Sequence, residues 1–202
     1  MGIMQFLQSY TFTVVSALST LTLVAQVIAA LLLIVLLKDI FTHSESKLSR
    51  WVSRNGLLLM FIVALTAMSG SLFFSEIAQW VPCKDCWLQR ICMYPQVLLL
   101  IIALWKRDRT VARYILALCV IGMVISVSHY MEQVQAALHP IASPTSGVNA
   151  LIKPCDASGV SCAATQINFA YGYITIPMMA LSAFLLNAIG SVMMLRSKKA
   201  IA

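Results

Sequence analysis

Five long apolar segments dominate this 202-residue sequence and limit the folds that it can adopt. A helix needs about 20 mostly apolar residues to cross the hydrocarbon core of a membrane. Only 10% of the residues are charged, whereas a soluble domain carries about 25%. Because hydrocarbon satisfies no backbone group, we expect each segment to be a helix and the protein to be an all-α membrane protein. The predicted spans are Val14–Leu37, Leu57–Trp80, Trp87–Trp105, Val111–Met131 and Ala170–Leu195.

The positions of the basic residues predict the orientation of these spans. Of the 14 Lys and Arg residues, all but Lys84, Arg90 and Lys153 lie between spans one and two, between spans three and four, in the first turn of span four (Arg113), or after span five. The positive-inside rule places those stretches in the cytoplasm. We therefore expect a multi-pass protein of a bacterial inner membrane, with its N-terminus outside and its C-terminus cytoplasmic. This orientation explains the net charge of +7, which then requires no nucleic-acid partner.

The first apolar segment is expected to stay in the protein as a helix. It has no Lys or Arg before Lys38, and it is longer than the roughly 7–15 apolar residues of a secretory signal.

Four of the six cysteines fall in the two outer loops that this orientation predicts. Cys83 and Cys86 form a C-x-x-C pair in the first loop, and Cys155 and Cys162 lie in the second, at about residues 132–169. The outer side of a bacterial inner membrane is oxidising, so these cysteines can form disulfides. Four cysteines allow three pairings, of which the simplest joins the two members of each loop.

Three kinds of site are compatible with these four cysteines. Structural disulfides are one, but closing so short a loop as C-x-x-C stabilises a fold little. A zinc site is the second, but the spacing of Cys155 and Cys162 is a poor match to zinc ligands. Thiol–disulfide exchange is the third, and we favour it because exposed, strained disulfides tend to be catalytic. Cys86 would begin a helix, where the helix dipole and Arg90 favour a thiolate.

The two remaining cysteines, Cys92 and Cys119, lie within apolar spans. Buried free cysteine behaves as a small apolar side chain, so we expect both to be packing residues.

Two stretches resemble the DsbB/BdbC family of disulfide bond formation proteins. The stretch "PCKDCWLQRICMYP" resembles the family motif C-x-x-C-W-x-Q-R-x-x-M-Y-P. The segment "PCDASGVSC", followed by "FAYGYITIPMMALSAF", resembles the second cysteine pair and last helix of the BdbC-type branch. The resemblance covers about residues 57–195 and implies a four-helix transmembrane bundle. The first span would then be one additional N-terminal transmembrane helix.

The resemblance also implies a reaction and a role for each outer cysteine. Family members reoxidise a thioredoxin-fold, DsbA-like thiol oxidase and pass its electrons to a quinone, either ubiquinone or menaquinone, from the membrane pool. By motif, Cys155 would form the mixed disulfide with the partner, with Cys162 as its disulfide mate, and Cys83 would exchange with that pair. Cys86 would face the quinone and form a charge-transfer species with it, with Arg90 beside the ring.

Quinone reduction also consumes protons, and ionisable residues near the outer face are candidates to supply them. Glu76, His129 and Glu132 lie near the outer ends of their spans. An ionisable group inside a membrane is a functional candidate by default, although one near the end of a span can reach water. We count His129 among the candidate cofactor-binding residues and favour an interfacial position for Glu76. Gln89, one residue before Arg90, offers no titratable group for this role.

These observations divide the chain into three predicted parts. Residues 1–56 hold the extra helix and a basic cytoplasmic loop, residues 57–195 hold the bundle, and residues 196–202 form a basic tail. The favoured function is a quinone-reducing protein disulfide oxidoreductase. A non-catalytic membrane protein with structural disulfides and a redox relay of the opposite direction remain alternatives.

Overall fold

The computed structural model of the chain describes residues 2–138, 162 and 170–197. Within these residues, five helices are long and apolar enough to cross a membrane, which confirms the predicted all-α membrane fold. They are α1 (Gly2–Phe41), α2 (Lys47–Leu72), α3 (Lys84–Lys106), α4 (Ala112–Leu138) and α5 (Ile176–Arg196).

Helix α2 begins ten residues before the predicted span. Ser46 is its N-cap, and the Ser46 side chain accepts a hydrogen bond from the backbone N–H of Ser49. The basic residues Lys47, Arg50 and Arg54 therefore lie in the first turns of α2 and not in a loop. Apolar composition marks the part of a helix that faces hydrocarbon, whereas the cap decides where the helix begins. At its other end α2 continues into a π-helical turn, Phe73–Ile77.

The last two helices also differ from their predicted bounds. Helix α4 extends to Leu138, so residues 132–138, predicted as the start of the second outer loop, are helical. Helix α5 begins at Ile176 and not at Ala170, because residues 170–174 form a tight turn with Gly172 at φ 83°. Pro177 consequently lies in the first turn of α5, where it needs no hydrogen-bond partner and causes no kink.

Helices α2 to α5 form the predicted bundle, and α1 lies outside it. Each of α2, α3, α4 and α5 packs against two neighbours, in the order α2–α3–α4–α5 and back to α2. Helix α1 packs against α5 and α2. Ala29 and Leu36 of α1 are buried there against Ile189 and Met193 of α5. Helix α1 therefore covers one side of the bundle.

The close packing of α4 on α5 depends on a glycine. A Cβ atom added to Gly122 would lie 2.5 Å from Cζ of the Phe184 ring. Phe184 is fully buried in the main core of the bundle. Only a residue without a side chain lets the ring occupy this space.

The two ends of the bundle differ in charge. The guanidinium of Arg109, between α3 and α4, donates hydrogen bonds to the backbone oxygen and hydroxyl of Ser53 near the start of α2. The basic residues of these segments thus meet at one end. The N-terminus of α3, with Cys83 and Cys86, lies at the opposite end.

Candidate functional site

The C-x-x-C pair lies at the first turn of α3. Cys83 is the N-cap residue, in an extended backbone conformation, and its sulfur accepts a hydrogen bond from the backbone N–H of Cys86 at 3.5 Å. This is the position in which a Ser or Thr side chain usually caps a helix. The spacing of three residues therefore brings both sulfurs to the helix N-terminus, and their Sγ atoms lie 3.2 Å apart.

The surroundings make Cys83 the acceptor in the contact between the two thiols. Besides the N–H of Cys86, Nε2 of His129 lies 3.7 Å from the Cys83 sulfur. Nε2 of His129 also lies 3.1 Å from the backbone oxygen of Cys162. Because a carbonyl oxygen only accepts, we assign the ring proton to Nε2, which then donates towards both groups. The donors converge on the sulfur of Cys83.

These contacts lower the pKa of the Cys83 thiol well below its ordinary value. The largest cause is the hydrogen bond from the Cys86 thiol, and the hydrogen bond from His129 adds to it. Burial acts in the opposite direction but is outweighed. The sequence pattern places the favoured thiolate on Cys86, whereas the hydrogen bonds favour Cys83.

Cys162 lies directly beside this pair. It is buried and disulfide-bonded. Its Sγ, the Sγ of Cys83 and a ring nitrogen of His129 all lie within 4.8 Å of one another. A sulfur in a disulfide is not a thiolate and so is a poor metal ligand. A disulfide sulfur next to a cysteine thiol is instead the arrangement that thiol–disulfide exchange requires. Cys155 lies outside the described residues, so its predicted role stays a prediction.

The side chain of Arg90 lies one turn from Cys86. It is 8% exposed, donates a hydrogen bond to the backbone oxygen of Ser71 at 3.1 Å, and lies 5.2 Å from the ring centroid of Trp87. These contacts hold a permanent positive charge in place. Tyr94 is hydrogen-bonded to the hydroxyl of Ser71, so α2 and α3 are joined at this level.

A cavity of about 280 Å³ opens next to Cys86 and Arg90. Its size is close to the lower end of small-molecule sites, roughly 300 Å³. Polar groups lie at one end, where Cys86, Gln89 and Arg90 line it, and Trp80 stacks on Phe74 beside them. Its other walls come from α1, α2 and α5 and are mainly apolar. The cavity therefore combines a cysteine and an arginine at one end with mainly apolar walls along the rest.

The structure separates His129 from Cys86 and Arg90, although the sequence analysis grouped all three as candidate cofactor-binding residues. His129 contacts Cys83 and Cys162 and is absent from the residues that line the cavity. Gln89 joins the two places, since it lines the cavity and its Nε2 lies 3.4 Å from Nδ1 of His129. The role of His129 in cofactor binding stays a prediction, and the contacts favour a role at the cysteines.

The other candidates lie outside the cavity. Glu76 is exposed and accepts a hydrogen bond from Ser75. Glu132 is exposed, and its carboxylate lies within 4.8 Å of the Cys162 sulfur. Cys92 and Cys119 are buried in the main core, which confirms their packing role.

Sequence reasoning missed the contribution of α1 to the cavity. Six of its residues line the wall: Leu18, Leu21, Thr22, Val24, Ala25 and Ile28. The signal in the sequence was a polar residue, Thr22, within an apolar segment, and the structure shows that Thr22 is buried. Which helix covers that face depends on packing between segments far apart in sequence.

Comparisons with known proteins agree on one family. The model of the family described as "Disulfide bond formation protein DsbB" matches residues 53–194. The chain is 49% identical to "Disulfide bond formation protein C" of Bacillus subtilis over 62% of this chain and 81% of the relative. It is 42% identical to "Probable disulfide formation protein C" of Halalkalibacterium halodurans, over 71% of this chain and 96% of the relative. No solved structure matches the chain.

Proposed function

The chain belongs to the DsbB family of disulfide bond formation proteins, and we propose that it transfers electrons from a reduced thioredoxin-fold, DsbA-like partner to a membrane quinone. The family and the five apolar helices make it a multi-pass membrane protein of disulfide bond formation. The proposed site of action is the outer face of a bacterial inner membrane, with the basic end of the bundle in the cytoplasm.

One observation carries this proposal: the sulfurs form a continuous path to the cavity. The disulfide-bonded Cys162 lies within 4.8 Å of the Cys83 sulfur, the Cys83 sulfur lies 3.2 Å from that of Cys86, and Cys86 lines the cavity. Structural disulfides give no reason for such a path, which favours an oxidoreductase.

The first step is exchange between the partner and the second cysteine pair. A thiolate of the partner attacks the disulfide of Cys155 and Cys162, and a mixed disulfide between the partner and Cys155 forms as Cys162 leaves as a thiolate. The second cysteine thiolate of the partner then attacks the partner sulfur that is bonded to Cys155. The partner leaves oxidised, and Cys155 and Cys162 carry the two electrons as thiols.

The second step passes these electrons to the first pair. With Cys83 and Cys86 joined as a disulfide, the Cys162 thiolate attacks the Cys83 sulfur and Cys86 leaves. Cys155 then closes the disulfide with Cys162, releasing Cys83. Two electrons now reside on Cys83 and Cys86, and the second pair is ready for another partner.

The hydrogen bonds around Cys83 favour this direction of transfer. They stabilise the Cys83 thiolate and therefore the reduced form of the Cys83 and Cys86 pair. A pair whose reduced form is stabilised is a stronger oxidant as a disulfide. Electrons are thus drawn from Cys155 and Cys162 towards the cavity.

A bound quinone would accept two electrons and two protons at the inner end of this path. Arg90, held by Ser71 and Trp87, would orient it and stabilise negative charge beside Cys86. The walls of the cavity next to Cys86 are mainly apolar. The Cys83 and Cys86 thiols would together give up these two electrons and two protons, and their sulfurs would join as a disulfide again.

The test uses the full-length protein purified in detergent with a reduced DsbA-like partner and a quinone. We expect Cys83→Ser and Cys86→Ser each to abolish quinone reduction, because either change removes one of the two sulfurs of the Cys83–Cys86 disulfide. Quinone reduction is followed by absorbance and partner oxidation by thiol labelling.

Cys119→Ser is the matched control. Cys119 is buried, and its thiol donates to Oε1 of Gln96 at 3.7 Å, a bond that a serine hydroxyl can replace. This variant should reduce quinone at the wild-type rate. Quinone reduction that survives in Cys83→Ser or Cys86→Ser would refute the proposal.

A further inference from the structure

The cavity beside Cys86 is elongated along the helices. On α1 it extends from Leu18 to Ile28, which is about 15 Å at the rise of an α-helix. On α5 it extends from Ile176 to Leu186, again about 15 Å. Cys86 and Arg90 line one end. The cavity is therefore a slot with its chemistry at the outer end.

The deep part of this slot is lined by apolar side chains from three helices. Ile28 of α1, Ile62 of α2 and Leu186 of α5 lie there, with Ala25 of α1 between them and the outer end. Leu18 lies at the level of the reactive end. Its Cδ1 would lie 3.2 Å from a Cβ atom added to Gly70. Gly70 is followed by Ser71, whose backbone oxygen accepts a hydrogen bond from Arg90. Helix α1 thus lines the slot along its whole length.

Polar contacts hold α1 in this position. Nε2 of Gln26 donates to the hydroxyl of Ser182 in α5 at 3.1 Å, and Oε1 of Gln26 accepts from the hydroxyl of Tyr173. The hydroxyls of Thr20 and Tyr171 lie 2.9 Å apart. The bond between Gln26 and Ser182 joins two helices, and the two tyrosine bonds join α1 to the turn before α5; such polar contacts help to set how helices are placed against each other in a membrane. Helix α1 is therefore docked at a defined register.

We propose that α1 is the wall that holds the isoprenoid chain of the quinone, whose ring lies at Cys86 and Arg90. The inference rests on the proposed function and adds a specificity element to it. Helix α1, Gly2–Phe41, precedes the residues that match the family model, 53–194. This wall is accordingly built from a part of the chain that lies outside the family match.

The proposal predicts that α1 matters for quinones with a long isoprenoid chain and not for quinones without one. Ala25→Trp places a large side chain in the slot while leaving Cys86 and Arg90 unchanged. Ala30→Trp is the matched control, because Ala30 lies on the same helix but is exposed and does not line the slot. Ala25→Leu is a milder second variant if the tryptophan prevents folding.

The first measurement is the long-chain quinone that co-purifies with each variant, extracted and quantified per mole of protein. We expect Ala25→Trp to bind long-chain quinone about tenfold more weakly, because the indole would occupy part of the space that the isoprenoid chain needs. Ala25→Leu should show a smaller loss, and Ala30→Trp should match the wild type. The second measurement is the KM for a quinone that lacks the chain, which should be the same in all four proteins.

The outcomes separate this inference from the proposed function. Wild-type protein that neither retains nor reduces any quinone would refute the proposed function itself. Wild-type protein that retains long-chain quinone, together with Ala25→Trp and Ala25→Leu that retain as much, would refute the role of α1 alone. A KM for the chain-free quinone that is about tenfold higher in Ala25→Trp than in the wild type would also refute it, because α1 would then affect the ring.

Discussion

The Nε2 atom of His129 lies 3.1 Å from the backbone oxygen of Cys162. The same atom lies 3.7 Å from the sulfur of Cys83. One histidine on α4 therefore contacts both Cys83 and Cys162, although Cys162 comes from a part of the chain far from α3. Under the proposed function, we expect His129 to align the two cysteine pairs for exchange.

Replacing His129 by Asn should slow exchange between the two cysteine pairs. The shorter side chain loses the contacts with Cys162 and Cys83, so the attacking and accepting sulfurs are less well aligned. We expect a loss of about 10²-fold or less in the rate of partner oxidation, as for other misaligned groups. His43→Asn is the matched control, since His43 is exposed at the opposite end of the bundle. An unchanged rate in His129→Asn would show that alignment does not depend on this histidine.

The same variant should raise the pKa of Cys83. The hydrogen bond from His129 favours the thiolate and so lowers the pKa of Cys83, and removing it acts in the opposite direction. As the pH falls, the reduced variant should lose its thiolate at a higher pH than the reduced wild type. Thiolate absorbance in the ultraviolet, recorded against pH, measures this. Coincident titration curves would contradict the assigned hydrogen bond.

Replacing Arg90 by Met should weaken quinone binding more than exchange between the cysteines. Methionine keeps much of the apolar stem but removes the charge beside Cys86 and the hydrogen bond to Ser71. We expect the KM for quinone to rise by about tenfold, the equivalent of roughly 1.4 kcal/mol. Arg50→Met is the control, since Arg50 is exposed on α2 at the other end. The KM for quinone under steady-state turnover is the measurement, and equal values in the two variants would contradict the placement of Arg90.

Substituting Gly122 by Val should destabilise the bundle. The added side chain would overlap the ring of Phe184, and overpacking of a core typically costs about 1–3 kcal/mol. Ala117→Val on the exposed face of the same helix should have little effect. Thermal unfolding in detergent measures the difference. Combining Gly122→Val with Phe184→Leu should recover part of the lost stability, and a double variant less stable than either single one would argue against this contact.

The basic end of the bundle should face the cytoplasm. A green fluorescent protein fused after residue 202 should fluoresce in cells, because that protein folds in the cytoplasm and not after export. The same reporter fused after Leu138, the outer end of α4, should stay dark. The opposite pattern would reverse the orientation and place Cys83 and Cys86 on the reducing side.

From the sequence alone, the five apolar spans and the position of Cys86 at the start of a helix could be predicted. The length of each apolar segment predicts the five spans, and the basic residues predict which ends of the spans lie on the same side of the membrane. Both are local properties of the chain. The sequence placed Cys86 at the start of a helix, and the structure adds that Cys83 is the N-cap of that helix, α3. Where polar residues extended a helix, as at Lys47 in α2 and after Met131 in α4, apolar length alone misplaced its end.

Which residues meet across the bundle depends on the packing of the helices. The contacts of Cys162 with Cys83 and His129 join parts of the chain that no local period relates. The wall that Ala25 and its neighbours on α1 form beside Cys86 is of the same kind. A helix in a membrane meets lipid and protein surfaces that are equally apolar, so its sequence gives little indication of which side faces a neighbour. Packing and a few hydrogen bonds, such as that of Gln26 with Ser182, settle that choice.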